Sequence, residues 1–151
     1  MRARLAGGVA AVVLVPALLV GCSSGDEEPG AEKQQYIEQS DAICRETFAQ
    51  AAGIGTGRDE ATAQKGADVW GPAAQKLKDL PQPKESIELA QQFVTDVENL
   101  SLAYTAAARG ANVKNQGRVD KSFTEITEIK ERAAETADEY GYEVCKNINA
   151  T

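Results

Sequence analysis

The sequence predicts an all-α protein, a four-helix up-down bundle. Three observations carry this reading. Apolar residues recur at spacings of three and four over four separate stretches, which gathers them on one face of a helix. Runs of β-branched residues alternating with polar ones at a period of two are absent, so no strand pattern competes. Aromatic residues make up only 5 % of the chain and alanine is abundant, so the core must come from Ala, Leu, Ile and Val, which suit closely approaching helices.

The first helix is expected at about 32–52. Tyr36, Ile37, Ser40, Ile43, Cys44, Thr47, Phe48 and Ala51 form its inner face, and glycines 53, 55 and 57 end it. The second, about 59–79, starts from Asp59 as N-cap and carries Ala63, Ala67, Trp70, Ala73, Ala74, Leu77 and Leu80. Gly71-Pro72 interrupts it. Proline removes one backbone hydrogen bond there, so a kinked helix or two short helices in line are expected. Pro81-Gln82-Pro83 is a stiff turn, with Pro83 suited to the first position of the third helix, about 83–109. Ile87, Ala90, Phe93, Val94, Val97, Leu100, Tyr104, Ala107 and Ala108 line one face of that helix, and Gly110 ends it. The fourth helix, about 116–140, presents Val119, Phe123, Ile126, Ile129, Ala133, Ala137 and Tyr140, and stops at Gly141. A short return from Tyr142 to Cys145 follows.

The N-terminus has a different character. Arg2 and Arg4 precede an almost wholly apolar run, Leu5 to Val20, which is shorter than the ~20 residues a spanning helix needs. The run closes on Leu19-Val20-Gly21-Cys22, which resembles the bacterial lipobox. That resemblance implies a lipoprotein signal peptide over residues 1–21, cleavage after Gly21 and acylation of the Cys22 thiol. An ordinary signal peptide that happens to contain a cysteine, or a short N-terminal anchor, is the competing reading. Each buried CH₂ of an acyl chain adds ~0.8 kcal/mol, so two chains anchor where one is marginal. Residues 22–31 then form the lipidated cysteine and a small, acidic, Pro/Gly-containing tether, and residues 32–151 form the domain.

The charge balance narrows the partners. The leader holds two of the 16 basic residues and none of the 23 acidic ones, which leaves the rest of the chain at a net −9. Such a chain repels phosphate backbones and anionic headgroups, so nucleic acid is not an expected partner and the membrane is met through the lipid on Cys22. Histidine is absent and the only methionine is Met1, which removes His-based catalytic triads and the usual zinc, copper and haem sites. No cofactor is expected.

Three cysteines are present. With Cys22 acylated, Cys44 and Cys145 remain, and outside the cytoplasm two such thiols usually pair. Two buried free thiols or a redox pair are the competing readings, although no Cys-x-x-Cys exists. The up-down topology makes the bridge reachable. Cys44 lies ~12 Å along its helix from the start of the apolar stripe, and an extended return after Gly141 covers ~16 Å.

Tyr36-Ile37 with Ser40-Asp41-Ala42-Ile43-Cys44, then Leu80-Pro81-Gln82-Pro83, then Tyr140-Gly141-Tyr142-Glu143-Val144-Cys145 resemble a group of small secreted lipoproteins of actinobacteria. Those proteins share a lipobox, an early Asp-Ala-Ile-Cys helix, a Leu-Pro-x-Pro turn and a late Gly-x-x-x-Cys. The resemblance implies a helical, disulfide-closed domain on the outer face of the cytoplasmic membrane. It brings no activity with it, so no catalytic residue is carried over.

Two further features invite a functional reading. Trp70 beside Gly71-Pro72 is either a ligand-pocket residue or a core tryptophan filling space at the kink. Glu128, Glu131, Glu135 and Asp138 share one side of the fourth helix, where a cation site or a surface for a basic partner competes with the favoured reading of a solvated face, partly neutralised by the Glu128–Arg132 spacing. The expected function is that of a non-enzymatic binding or accessory module of the cell envelope. It is held at the extracytoplasmic face of the cell membrane and meets an unidentified envelope protein or cell-wall component. The alternative is a small-ligand or lipid carrier with a cavity near the Trp70-Gly71-Pro72 kink. An enzyme is not expected, since no base serves the serines and no two carboxylates pair in an apolar pocket.

Overall fold

The computed structural model describes residues 30–151. The expected signal peptide, Cys22 and the tether up to residue 29 lie outside the described residues. Among the described residues the protein is all-helical, with four main helices packed together and no strand. They are α1 (Ala31–Ala51), α2 (Glu60–Lys78), α3 (Ile87–Asn112) and α4 (Gln116–Tyr140), followed by a 3₁₀ helix over Cys145–Ala150. None of these helices is long and apolar enough to cross a membrane.

Each helix starts and stops for a local reason. Gly30 precedes α1 in the left-handed region, at φ 97°. The Asp59 carboxylate caps α2 by accepting the Thr62 N–H at 2.8 Å, as the sequence predicts. Asn115 caps α4 in the same way, accepting the Arg118 N–H at 3.0 Å. Gly141, at φ 100°, ends α4, a conformation that costs a side-chain-bearing residue more than glycine.

One expected boundary is narrowed and two are displaced. First, α2 is a single helix through Pro72, so of the two expected forms the pair of short helices does not occur. Pro72 is exposed, while Trp70, Ala73 and Ala74 hold the inner face on either side. Second, Pro83 does not open α3. Its ring is fully buried, and the chain then turns through Ser86, at φ 53°, before the helix begins at Ile87. Third, Gly110 does not end α3, which continues to Asn112. Gly110 lies inside the helix because the Arg118 side chain crosses it. A Cβ there would sit 3.0 Å from Arg118 Cγ.

α3 is the central helix, packed against both α2 and α4. Successive contacts along these pairs run in opposite directions. Tyr104 lies on Gly66 while Lys78 pairs with Glu98 at 3.5 Å, and Arg118 crosses Gly110 while Arg132 pairs with Asp96. α1 packs on α2 and on the C-terminal 3₁₀ helix, which also docks on α4. Where the sequence predicts a short return after Gly141, the chain adds a six-residue 3₁₀ helix whose Cys145 and Ile148 are both fully buried in the core. The main apolar cluster joins all four helices and this last turn through Trp70, Leu77, Phe93, Leu100 and Tyr142.

The α2–α3 contact is tight because of one missing side chain. A Cβ at Gly66 would lie 2.2 to 2.5 Å from three atoms of the Tyr104 ring. A ring held on two sides has no flexible end to yield, so the helices would have to separate. Gly66→Ala is therefore expected to destabilise the domain by about 1–3 kcal/mol, despite the better helix propensity of alanine. Urea denaturation checks this. An unchanged or raised midpoint would show that the ring is free to move.

Candidate functional site

The residues that sequence reasoning marked out do not converge on one place. Cys44 and Cys145 meet, Trp70 sits in the core, and Cys22 lies outside the described residues. The feature with the most built geometry is the fastening of the chain's last turn to α1.

Cys44 and Cys145 form a disulfide, with Cα atoms 5.3 Å apart and a sequence separation of 101. Both are buried because Cys44 lies on the inner stripe of α1 and Cys145 opens the 3₁₀ helix directly opposite. One turn earlier on α1, Asp41 completes the joint. One carboxylate oxygen accepts the N–H groups of Val144 and Cys145, and the other accepts that of Glu143, all at 2.9 Å. These are the donors left over at the start of the 3₁₀ helix, so Asp41 acts as its N-cap from a helix more than a hundred residues upstream. The side chain is 6 % exposed, and its three charge-assisted hydrogen bonds offset the loss of water.

Beside this joint the tyrosines cluster. Tyr140 and Tyr142 have ring centroids 4.7 Å apart, Tyr36 meets Tyr140 edge-on at 6.1 Å, and Phe93 meets Tyr142 at 5.0 Å. The Tyr142 hydroxyl lies close to those of Ser40 and Tyr36, yet none of these, nor that of Tyr140, has a hydrogen-bond partner of good geometry among the described residues. Burial favours the neutral phenol. It pushes Tyr140 up to about 12, with Tyr36 and Glu85 adding repulsion, and pushes Tyr142 further up. Tyr104 is raised by burial alone. Tyr36 also walls a cleft of about 270 Å³ between the start of α1 and Pro81-Gln82-Pro83. The Glu32–Lys84 ion pair, at 2.9 Å, joins two residues lining that cleft.

Trp70 is 1 % exposed. Phe48 packs on it at 6.1 Å between centroids, and the Lys130 ammonium lies 5.9 Å from its ring. Lys130 also donates to the backbone oxygen of Thr151, and burial lowers its pKa. Among the described residues the indole N–H has no hydrogen-bond partner. The tryptophan thus fills space between α1, α2 and α4. It lines neither the cleft beside Pro81 nor those bounded by α2 and α3.

Two buried acids escaped the sequence reading. Asp96 on α3 is fully buried, accepts the Arg132 Nε–H at 2.8 Å and also accepts Gln92. Arg132 therefore serves α3 and not the neighbouring Glu128 on its own helix. A buried carboxylate competes better for a guanidinium than an exposed one, whose charge water already screens. A signal for both acids existed. Asp41 falls between Ile37 and Cys44, and Asp96 between Phe93 and Leu100, each at helical spacing within an apolar stripe. Glu128, Glu131, Glu135 and Asp138 are exposed, as expected of a solvated face. Among the described residues no group of three or more His, Cys, Asp or Glu side chains is arranged to hold a metal ion.

No family model, no curated protein and no solved structure matches this chain.

Two outcomes follow from the closed end. Asp41→Ala leaves three backbone donors without their carboxylate, and is expected to destabilise the domain by about 3 kcal/mol. Asp41→Asn, which keeps one accepting oxygen, should lie between it and the parent in urea denaturation. Equal stability of all three would show that the carboxylate is dispensable.

The tyrosines give a pH dependence of definite sign. Their folded pKa values lie above the unfolded value near 10, so above that pH the unfolded chain releases protons that the folded chain retains. Stability is full below pH ~10 and is lost as pH rises through about 12 for Tyr140. Ultraviolet titration should show Tyr140 and Tyr142 ionising only together with unfolding. Ionisation of every tyrosine near pH 10 in a still-folded protein would contradict their burial.

Proposed function

We propose that this protein is a membrane-anchored extracytoplasmic lipoprotein, a non-enzymatic binding or accessory module of the cell envelope. In this reading an up-down helical bundle is held at the outer face of the cell membrane by lipid on Cys22, and presents its surface to an envelope protein or cell-wall component. The observation that carries it is Leu19-Val20-Gly21-Cys22 closing an apolar run that follows Arg2 and Arg4. The resemblance to the actinobacterial lipoproteins supports the same address.

Two structural facts agree with it. The buried Cys44–Cys145 bridge suits an oxidising compartment better than the cytosol. The described residues begin beside the closed end, where Glu32 pairs with Lys84 and Gly30 lies near Glu85, so a tether from Cys22 would join the bundle there. α3 carries the bundle ~39 Å away from that end, at 1.5 Å per residue over Ile87–Asn112. The opposite tip would be the part most available to a partner.

The anchor is tested by metabolic labelling with a palmitate analogue. The parent should incorporate label and Cys22→Ser should not, with the variant retained as the uncleaved precursor. Label persisting in Cys22→Ser would overturn the lipoprotein reading. Crosslinking in native membranes followed by mass spectrometry then tests the accessory role, and the absence of any reproducible partner would remove its basis.

A further inference from the structure

The far tip of the bundle differs in charge from the rest of the molecule. Residues 52–65 and 105–121 hold six basic and three acidic side chains, a net +3, while the remaining described residues sum to −9. α2 and α4 begin at this tip and α1 and α3 finish there, so the helix dipoles largely cancel and the side chains decide the sign. A cleft of about 440 Å³ opens at the tip, with Arg109 and Arg118 in its wall together with Gln64, Thr105 and Asn112. That volume suits a small molecule.

The two guanidinium groups are uncommitted. Among the described residues neither Arg109 nor Arg118 has a side-chain hydrogen bond or ion pair, although Arg58 close by is engaged with Asp120 at 3.7 Å. Arg118 is nevertheless held in place. Its Cβ, Cγ and Cδ lie over Gly110, so close that a Cβ on that residue would be 3.0 to 3.3 Å from all three. A stem seated in this way loses less freedom when its fork binds. Gly110 is thereby explained as a notch for Arg118, which its position inside α3 otherwise leaves without a reason.

We propose that this cleft binds a sugar-sized polyol carrying an oxyanion, phosphate or carboxylate. The arginines supply charge-assisted, bidentate donors for the oxyanion. The remaining wall is not that of a site for a bare anion. Glu60 also lines it, and its negative charge opposes a free inorganic ion while its oxygens accept hydroxyl protons. Asn112 offers both donors and an acceptor. Thr105 already donates its proton to the Ser101 carbonyl and Gln64 donates to Asp68, so both present acceptors to the cleft. Hydroxyl groups need this mixture. Val113, 66 % exposed on the rim, offers an apolar face to a ring. The inference stands on the cleft alone and does not depend on the anchor at Cys22.

The test uses isotope-labelled full-chain protein, purified in non-ionic detergent from whichever cell fraction holds it, titrated while backbone amide resonances are followed. The probes are glucose 6-phosphate, glucuronate, glucose and inorganic phosphate. At least one sugar anion should saturably shift amides of residues 105–118 with a Kd of about 10 mM or tighter, and the two arms tell phosphate from carboxylate. Glucose and inorganic phosphate, each one half of the ligand, should bind about tenfold more weakly. Arg109→Gln with Arg118→Gln keeps both stems and should weaken the sugar anion about tenfold or more, whereas Lys114→Gln, outside the cleft wall, should change it less than about threefold. Gln64→Ala preserves both arginines, and should weaken the sugar anion without affecting inorganic phosphate. Three results would each overturn the proposal: no saturable shift with either sugar anion, shifts that survive the double arginine substitution, or inorganic phosphate binding as tightly as glucose 6-phosphate.

Discussion

The last turn of the chain is fastened to the first helix by a carboxylate and a covalent bond, three residues apart on α1. Asp41 takes the three free N–H groups at the start of the 3₁₀ helix, and Cys44 is bonded to the first residue of that helix. Without this joint α1 would be held chiefly by its packing on α2 and by the contact of Tyr36 with Tyr140 at the end of α4. The chain-entropy model gives a loop of about 100 residues ~4.7 kcal/mol, which is comparable with the whole stability of a small domain. The carboxylate adds direction to the bond. It requires the 3₁₀ helix to begin at one place on α1, which sets Ile148 into the core and the tyrosines against one another.

The buried polar groups sort into two kinds. Asp41 and Asp96 are charged, buried and well satisfied, each at a contact between distant parts of the chain. The hydroxyls of Tyr36, Tyr140 and Tyr142 are buried and poorly satisfied, and burial makes ionising Tyr140 and Tyr142 oppose the fold. The first kind specifies which helix meets which. The second kind contributes ring area to a core that is otherwise built from alanine and small aliphatic residues, and tolerates the hydroxyls as a cost.

Charge is distributed by position in the same way. The closed end and the flanks are acidic, and the tip formed by the α3–α4 connection and the start of α2 is basic. Against this negative excess, the uncommitted Arg109 and Arg118 lie together at the end remote from residue 30. If the chain is anchored through Cys22, the basic tip is also the part of the bundle held furthest from the bilayer.

Helix identity, helix order and most of the core were legible in the sequence. Periodicity at three and four depends only on a residue's neighbours on its own helix, so it survives without knowledge of the partner. The α1, α2 and α4 limits follow from local chemistry in the same way, through Asp59, Gly141 and the glycine-rich link after Ala51. The pairing of Cys44 with Cys145 was legible because so few cysteines remain once Cys22 is set aside. The departures all lie where a residue answers to something distant. Pro83 is drawn into the core, Gly110 makes room for Arg118, and Arg132 reaches Asp96 instead of Glu128. Local propensities amount to about 1–3 kcal/mol per residue, and burial or ion pairing across the core is of the same size or larger. Where the two conflict, the contact that exists only in the folded chain decides, and a sequence read along its length does not contain that contact.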